Sequence, residues 1–173
     1  KLKSSTCIFI KISLFLGSLQ VCGQQLTRSP YLQMLGEKSV QIRYRTNQAI
    51  ISEVQVSSDG KTFNRIKKSS QTNTEHLVFI DSLTASNKYF YRIRLTATQF
   101  AGDSTYFFKT APAIGSQEKF SVWSIGDMYP DGTYQKNVYE GFKKFIGNKY
   151  TNIFMTVGDN VYGGGSDEDF QAN

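Results

Sequence analysis

Cysteine, histidine and proline are scarce in this chain: two Cys, one His and 3 Pro in 173 residues. Both thiols, Cys7 and Cys22, fall within the first 23 positions. A chain cleaved after Gly23 therefore carries no disulfide and is held by its core or by bound metal, which suits a larger domain better than a small stapled one. His76, with no second imidazole, is expected to be structural rather than a ligand. The small number of prolines, beside 14 Gly, 39% hydrophobic and 20% charged residues, excludes a disordered low-complexity chain. No apolar run reaches the ~20 residues that a membrane-spanning helix needs.

Acid is also unevenly spread. Residues 1–23 hold three Lys and no acid, residues 24–112 hold 12 Lys+Arg against 6 Asp+Glu, and residues 113–173 hold 5 against 8. The net charge of +6 thus divides into +3, +6 and −3. In the basic central part the arginines alternate with apolar residues along strands, the pattern of a solvated face, and no nucleic-acid partner is expected. The first segment reads as an export signal: Lys1 and Lys3 precede "CIFIKISLFLGSLQV", and small residues near Gly23 supply a cleavage point. The implied location is secreted or extracytoplasmic, with no stable membrane insertion after cleavage. Lipid attachment through Cys22 ranks second, because Val21 before it is a poor match for the small residue such a site requires.

From Leu26 to Thr110 short stretches of period-two alternation are separated by turn residues, which predicts an antiparallel sandwich of roughly seven strands, immunoglobulin-like or fibronectin type III-like. "VQIRYRT" sets Val40, Ile42 and Tyr44 on one face and Gln41, Arg43 and Arg45 on the other. "EVQVSSDGKTFNRI" reads as a hairpin turning at Asp59-Gly60. In "KYFYRIRLTA" Tyr89, Tyr91, Ile93 and Leu95 point inward, and the spacing of Leu83 and Tyr89 suits a tyrosine corner. The many tyrosines are read as sheet core rather than as a sugar-binding platform. His76 falls at the start of a strand.

"TAPAIGSQEK" breaks this pattern and reads as a linker. Beyond it "KFSVWSIGD" and "YTNIFMTVGD" are short, nearly continuous apolar strands of the kind buried on both faces. Between them "TYQKNVYEGFKKFIGN" spaces Tyr134, Val138, Phe142 and Phe145 at helical intervals and stops at Gly147-Asn148. Strand, helix and strand make one βαβ unit. Its parallel strands end at one edge, where ligands bind in such sheets, and each ends in Gly-Asp. Asp127 and Asp159 are therefore expected side by side.

Two carboxylates held that close repel unless one is protonated or a cation lies between them. A pair of hard ions about 3.5–4 Å apart, bridged by one carboxylate, resolves the conflict. Tyr162 narrows the choice of metal. A phenol with an ordinary pKa of ~10 is a poor ligand for Mg²⁺ or Ca²⁺, whereas a trivalent ion such as Fe(III) displaces its proton. Taken singly, a Gly-Asp after a strand is a turn or a helix cap, and a tyrosine in a glycine-rich loop is packing. Two such ends on adjacent strands, with Tyr three residues after the second, point to metal.

"GD" at 126–127 and "GDNVY" at 158–162 resemble the first two blocks of the calcineurin-like metallophosphoesterases, and the tyrosine is what distinguishes the purple acid phosphatases among them. "TRSPYLQ", "TEHLVFIDSL", "YFYRIRL" and "YFFKTAP" resemble the fibronectin-like domain that precedes the catalytic domain in the larger members. One departure stands out: where the family reads Asp-x-Gly, Met128-Tyr129-Pro130 follows Asp127. The resemblance implies a signal peptide at 1–23, a fibronectin type III-like domain at 24–112 and an incomplete, truncated α/β metallophosphoesterase domain at 118–173. It implies a binuclear centre of Fe(III) plus Zn, Mn or Fe(II), with Asp127 on the iron side, Asp159 bridging and Tyr162 as phenolate ligand. The expected activity is acid hydrolysis of phosphate monoesters, small-molecule or phosphoprotein. The remaining ligands and the catalytic histidines are expected in further chain, so this portion is expected to be inactive alone. The alternatives are a phosphodiesterase on the same scaffold and an exported β-sandwich module for binding or adhesion.

Overall fold

A computed structural model describes residues 23–128 and 132–172. Residues 1–22, nearly all of the export signal expected at 1–23, with Cys7 and Cys22, lie outside the described residues, as do residues 129–131 after Met128 and Asn173. Six strands precede the linker: β1 (Leu26–Gln33), β2 (Val40–Ser57), β3 (Arg65–Ile80), β4 (Lys88–Arg94), β5 (Phe100–Ala101) and β6 (Phe107–Lys109). All their pairings are antiparallel. The first half of β2 lies between β1 and the second half of β3, with Ile42 opposite both Leu32 and Val78. Its second half lies between β4 and the first half of β3, with Val56 opposite Tyr91 and Arg65. One long hairpin thus belongs to both layers of a fibronectin type III-like sandwich. The corner is marked by register shifts between Arg45 and Ile50 and between Ile51 and Glu53, where irregular pairing lets the strands bend from one layer into the other.

The alternation in the sequence decides what is buried. Val40, Ile42 and Tyr44 from the first layer meet Val54, Val56, Tyr89, Tyr91, Ile93 and Phe108 from the second, with Val78, Ile80, Leu83 and Leu95 completing the core. Each such side chain taken out of water contributes about 1.5–3 kcal/mol. The tyrosine corner forms: the Tyr89 hydroxyl accepts the Thr84 N–H at 3.0 Å. Buried phenols elsewhere keep their protons, and burial pushes the Tyr44 pKa up to about 12. Pro30 falls in β1, an edge strand, between the register shifts at Arg28 and Tyr31, where a residue without an N–H removes no ladder bond from a central strand.

Two local expectations change. The connection after Ser57 is a seven-residue loop, not a tight turn at Asp59-Gly60. The Asp59 carboxylate accepts the Lys61 and Thr62 N–H groups, each at 2.8 Å, and the Ser57 hydroxyl at 2.6 Å, and these bonds hold its pKa well below the usual carboxylate range. His76 sits inside β3 rather than at a strand start, because β3 runs unbroken through the corner. It is buried, stacks on Tyr44 with 4.4 Å between ring centroids, and shares a 2.8 Å hydrogen bond with Thr46.

After a strandless connection from 110 to 121, β7 (Val122–Ile125), α1 (Gly132–Ile146) and β8 (Ile153–Thr156) form the βαβ unit, with β7 and β8 parallel. Its strands are not covered on both faces within the described residues. Trp123 and Phe154 face α1, whereas Val122, Ile153 and Met155, on the opposite side by the two-residue period, are each about half exposed. The helix also packs by a different stripe from the one expected. Trp123 stacks on Phe142 at 3.9 Å and on Tyr139 at 6.4 Å, with Gln135 and Ile146 half-buried on the same side. Phe145 is 87% exposed. Positions 135, 139, 142 and 146 follow the helical period as well as 134, 138, 142 and 145 do, and only the position of Trp123 decides between them.

Replacing Phe108 by Ala should cost about 3–5 kcal/mol in denaturant unfolding, and Tyr89→Phe, which leaves the Thr84 N–H without its acceptor, about 1 kcal/mol. Burial holds the His76 imidazole below its ordinary pKa of 6.5. The unfolded chain therefore takes up a proton first, so the contribution is complete above about pH 6.5 and is lost as pH falls below it. Urea midpoints measured between pH 7.5 and 5.5 should fall, and fall less steeply in His76→Gln.

Candidate metal centre

β7 and β8 run in register, Ile125 opposite Thr156, so the next few residues of each chain reach the same sheet edge. The ladder continues past the strand ends. Val157 N–H donates to the Ile125 carbonyl at 3.0 Å, Asp127 N–H to the Gly158 carbonyl at 3.3 Å, and Met128 N–H to the Asp159 carbonyl at 3.3 Å. Asp127 therefore lies opposite Gly158, one step out of phase with Asp159. Both aspartates adopt left-handed backbone, φ 50° and 48°, a region that Asp enters more readily than most residues.

The two preceding glycines serve different ends. At Gly158 φ is 119°, which a residue with a β-carbon rarely adopts. Gly126 is needed for room, since a β-carbon there would stand 2.9 Å from Val157 Cγ2. The sharp turn that the sequence assigned to both glycines thus falls partly on the aspartates themselves.

Tyr162 comes back to the same edge, and its hydroxyl donates to Asp127 Oδ1. The glycines after it are wrapped around one carboxylate. Asp169 Oδ2 accepts the N–H groups of Gly164 and Ser166, each at 3.0 Å, while Ser166 Oγ accepts the Asp169 N–H at 3.3 Å. This reciprocal pair is a capping box at the start of α2 (Asp167–Ala172). Gly163, at φ 107°, passes so close to Asp169 that a β-carbon would lie 2.8 Å from its Oδ1. These bonds keep Asp169 ionised, its pKa lowered chiefly by the Ser166 N–H. Asp167 reaches the sandwich instead, with Oδ2 at 2.9 Å from Arg45 Nη2 and Oδ1 at 3.6 Å from Arg28 Nη2. The Arg45 hydrogen bond and charge hold the Asp167 pKa down.

Of the three candidate ligands, Asp127 and Tyr162 touch, and Asp159 joins the edge through its backbone. Among the described residues no three His, Cys, Asp or Glu side chains form a cluster able to hold a metal ion. The donors this chain offers are two carboxylates and a phenol. Their fit to a hard cation rests on the Asp127–Tyr162 contact, which brings a carboxylate oxygen and a phenol oxygen, both hard oxygen donors, to one point. Sequence reasoning passed over Ser166, Asp167 and Asp169. The Ser-x-x-Asp spacing was a legible cap signal, but nothing local announces the partners of Asp167.

No protein family model matches the chain, and no curated protein matches it. Among solved structures it is similar to PhoD, at 19% identity and a TM-score of 0.55. That match covers 80% of this chain, more than the sandwich alone contains, and the chain spans 28% of the PhoD chain. It is also similar to a fibronectin type III domain of the human KIAA0970 protein, at 12% identity, a TM-score of 0.37, and 54% and 78% coverage of the two chains. The third fibronectin III domain of the human KIAA0343 protein matches at 10% identity, a TM-score of 0.34, and 53% and 85% coverage. The likeness to PhoD, at that identity, is one of fold.

Gly158→Ala should strain the edge by about 1–3 kcal/mol. Amide exchange at Asp127 and Met128, whose N–H groups bond across that edge, should quicken while the sandwich strands keep their protection.

Proposed function

We propose that this chain belongs to a metal-dependent phosphatase that hydrolyses phosphate monoesters, and that Asp127, Asp159 and Tyr162 are its metal ligands from this part of the protein. The observation that carries the reading is the contact between the Tyr162 hydroxyl and Asp127, 35 residues apart, at the edge where Asp159 also emerges. A phenol beside a carboxylate is an unusual pair for a turn and a suitable one for a trivalent ion. Fe(III) is the proposed occupant at that pair, and Zn, Mn or Fe(II) the second ion. When bound, two such cations supply charge neutralisation at a phosphoryl group and acidify water.

Asp127 and Tyr162 converge their oxygens, and the left-handed turns at 127 and 159 carry both carboxylates beyond the strand ends. The extended ladder holds the backbones of 127 and 159 at one edge. His76, the one imidazole, is buried in the sandwich, so no general acid is assigned among the described residues. The fold likeness to PhoD supports a phosphoesterase-type scaffold. The export signal read at 1–23 supports a secreted or extracytoplasmic setting, and the proposed ester is a small-molecule or phosphoprotein phosphate.

In the full-length protein loaded with Fe(III) and Zn(II), p-nitrophenyl phosphate should be hydrolysed in preference to its bis ester; the reverse order identifies a phosphodiesterase. Asp159→Asn should weaken metal binding at least about tenfold by calorimetry. Tyr162→Phe should abolish a visible phenolate-to-iron charge-transfer band, and a band that survives the substitution removes Tyr162 from the ligand set.

A further inference from the structure

We infer that the sandwich is a positioning element of the candidate metal centre: Arg45 of β2, assisted by Arg28 of β1, grips Asp167 and so fixes the loop that carries Tyr162. This rests on the proposed metal site for its consequence, but not for its geometry. Four residues separate Tyr162 from Asp167, and three of them are the glycines 163–165. A free segment of that composition samples a wide range of backbone angles, and ordering it costs entropy.

In this chain the segment is held at both ends. Asp169 gathers Gly164 and Ser166 into the capping box, making 163–169 one compact unit. That unit is tied to the rest of the protein by Asp167, both of whose oxygens face arginines. Arg45 is itself oriented, because its Nε donates to Glu75 while Nη2 holds Asp167. A guanidinium engaged along two edges presents a directional donor that a lysine ammonium does not. The opposite end of β8 is tied to the sandwich as well: the Tyr150 hydroxyl accepts the Lys109 N–H of β6 at 3.1 Å, and its ring packs on Phe107 at 5.8 Å. The stretch bearing Asp159 and Tyr162 is thus anchored on the sandwich before and after the site.

Asp167 is largely exposed, and an exposed ion pair adds little to global stability. Its loss is therefore expected in the local order of the loop rather than in the unfolding midpoint. Arg45→Met, which keeps the aliphatic stem, and Asp167→Ala should each speed amide exchange at 163–166 in the metal-free full-length protein by roughly tenfold. The same variants should weaken Fe(III) binding, supplied as ferric citrate and read by the charge-transfer band, by about tenfold. Asp167→Glu should restore both. Unchanged exchange at 163–166 in Arg45→Met and Asp167→Ala overturns the inference whatever the metal does. Faster exchange in a protein whose parent shows no band with Fe(III) supports the latch and overturns the metal reading instead.

Discussion

Backbone hydrogen bonds between β7 and β8 run on past the last residue of each strand, and the candidate site depends on that continuation. Without the bonds from Asp127 N–H to Gly158 and from Met128 N–H to Asp159, the two Gly-Asp ends would be separate loops. With them, the backbones of Asp127 and Asp159 are held together at one edge by main-chain geometry. The left-handed φ at both aspartates is the strain that accompanies this placement. Strain of that kind persists only where surrounding bonds over-determine it, and the extended ladder supplies those bonds.

Charge has a second use at the other end of the loop. The sandwich is basic and the segment after the linker acidic, a contrast that in composition alone suggests only two differently charged parts. In three dimensions the contrast is local and paired. Arg45 and Arg28 meet Asp167, while Arg94 and Lys68 meet the buried Glu53. Much of the positive charge on the sandwich is thus engaged by carboxylates of the same chain. The outer face also uses cations for packing, with the Arg92 guanidinium between the rings of Phe63 and Phe100 at 4.3 and 4.1 Å.

The legible parts of the sequence were those governed by local periodicity. Period-two alternation picked out Val40, Ile42, Tyr44, Tyr89, Tyr91, Ile93 and Leu95 as core because neighbouring residues on a strand must face opposite ways. The Leu83–Tyr89 spacing found the corner bond for the same reason: both partners lie within a few residues. Errors came where a choice depended on something distant. Period 3.6 allows two stripes on α1, and Trp123 selected Tyr139 and Phe142 over Phe145. Alternation could not show that β2 and β3 pass unbroken through a corner, because the bend is made by slips in register between them.

By itself the sequence determined the alternating faces, the helix stop at Gly147, and the presence of an acid at the end of each parallel strand with a tyrosine three residues later. Those features follow from steric and hydrogen-bonding rules that act over a few residues. Tertiary structure alone decided that Tyr162 meets Asp127, that Gly126 yields space to Val157, and that Asp167 crosses to arginines more than 120 positions earlier. Contacts of that range depend on how whole elements dock, and docking is set by the summed fit of many side chains rather than by any local pattern.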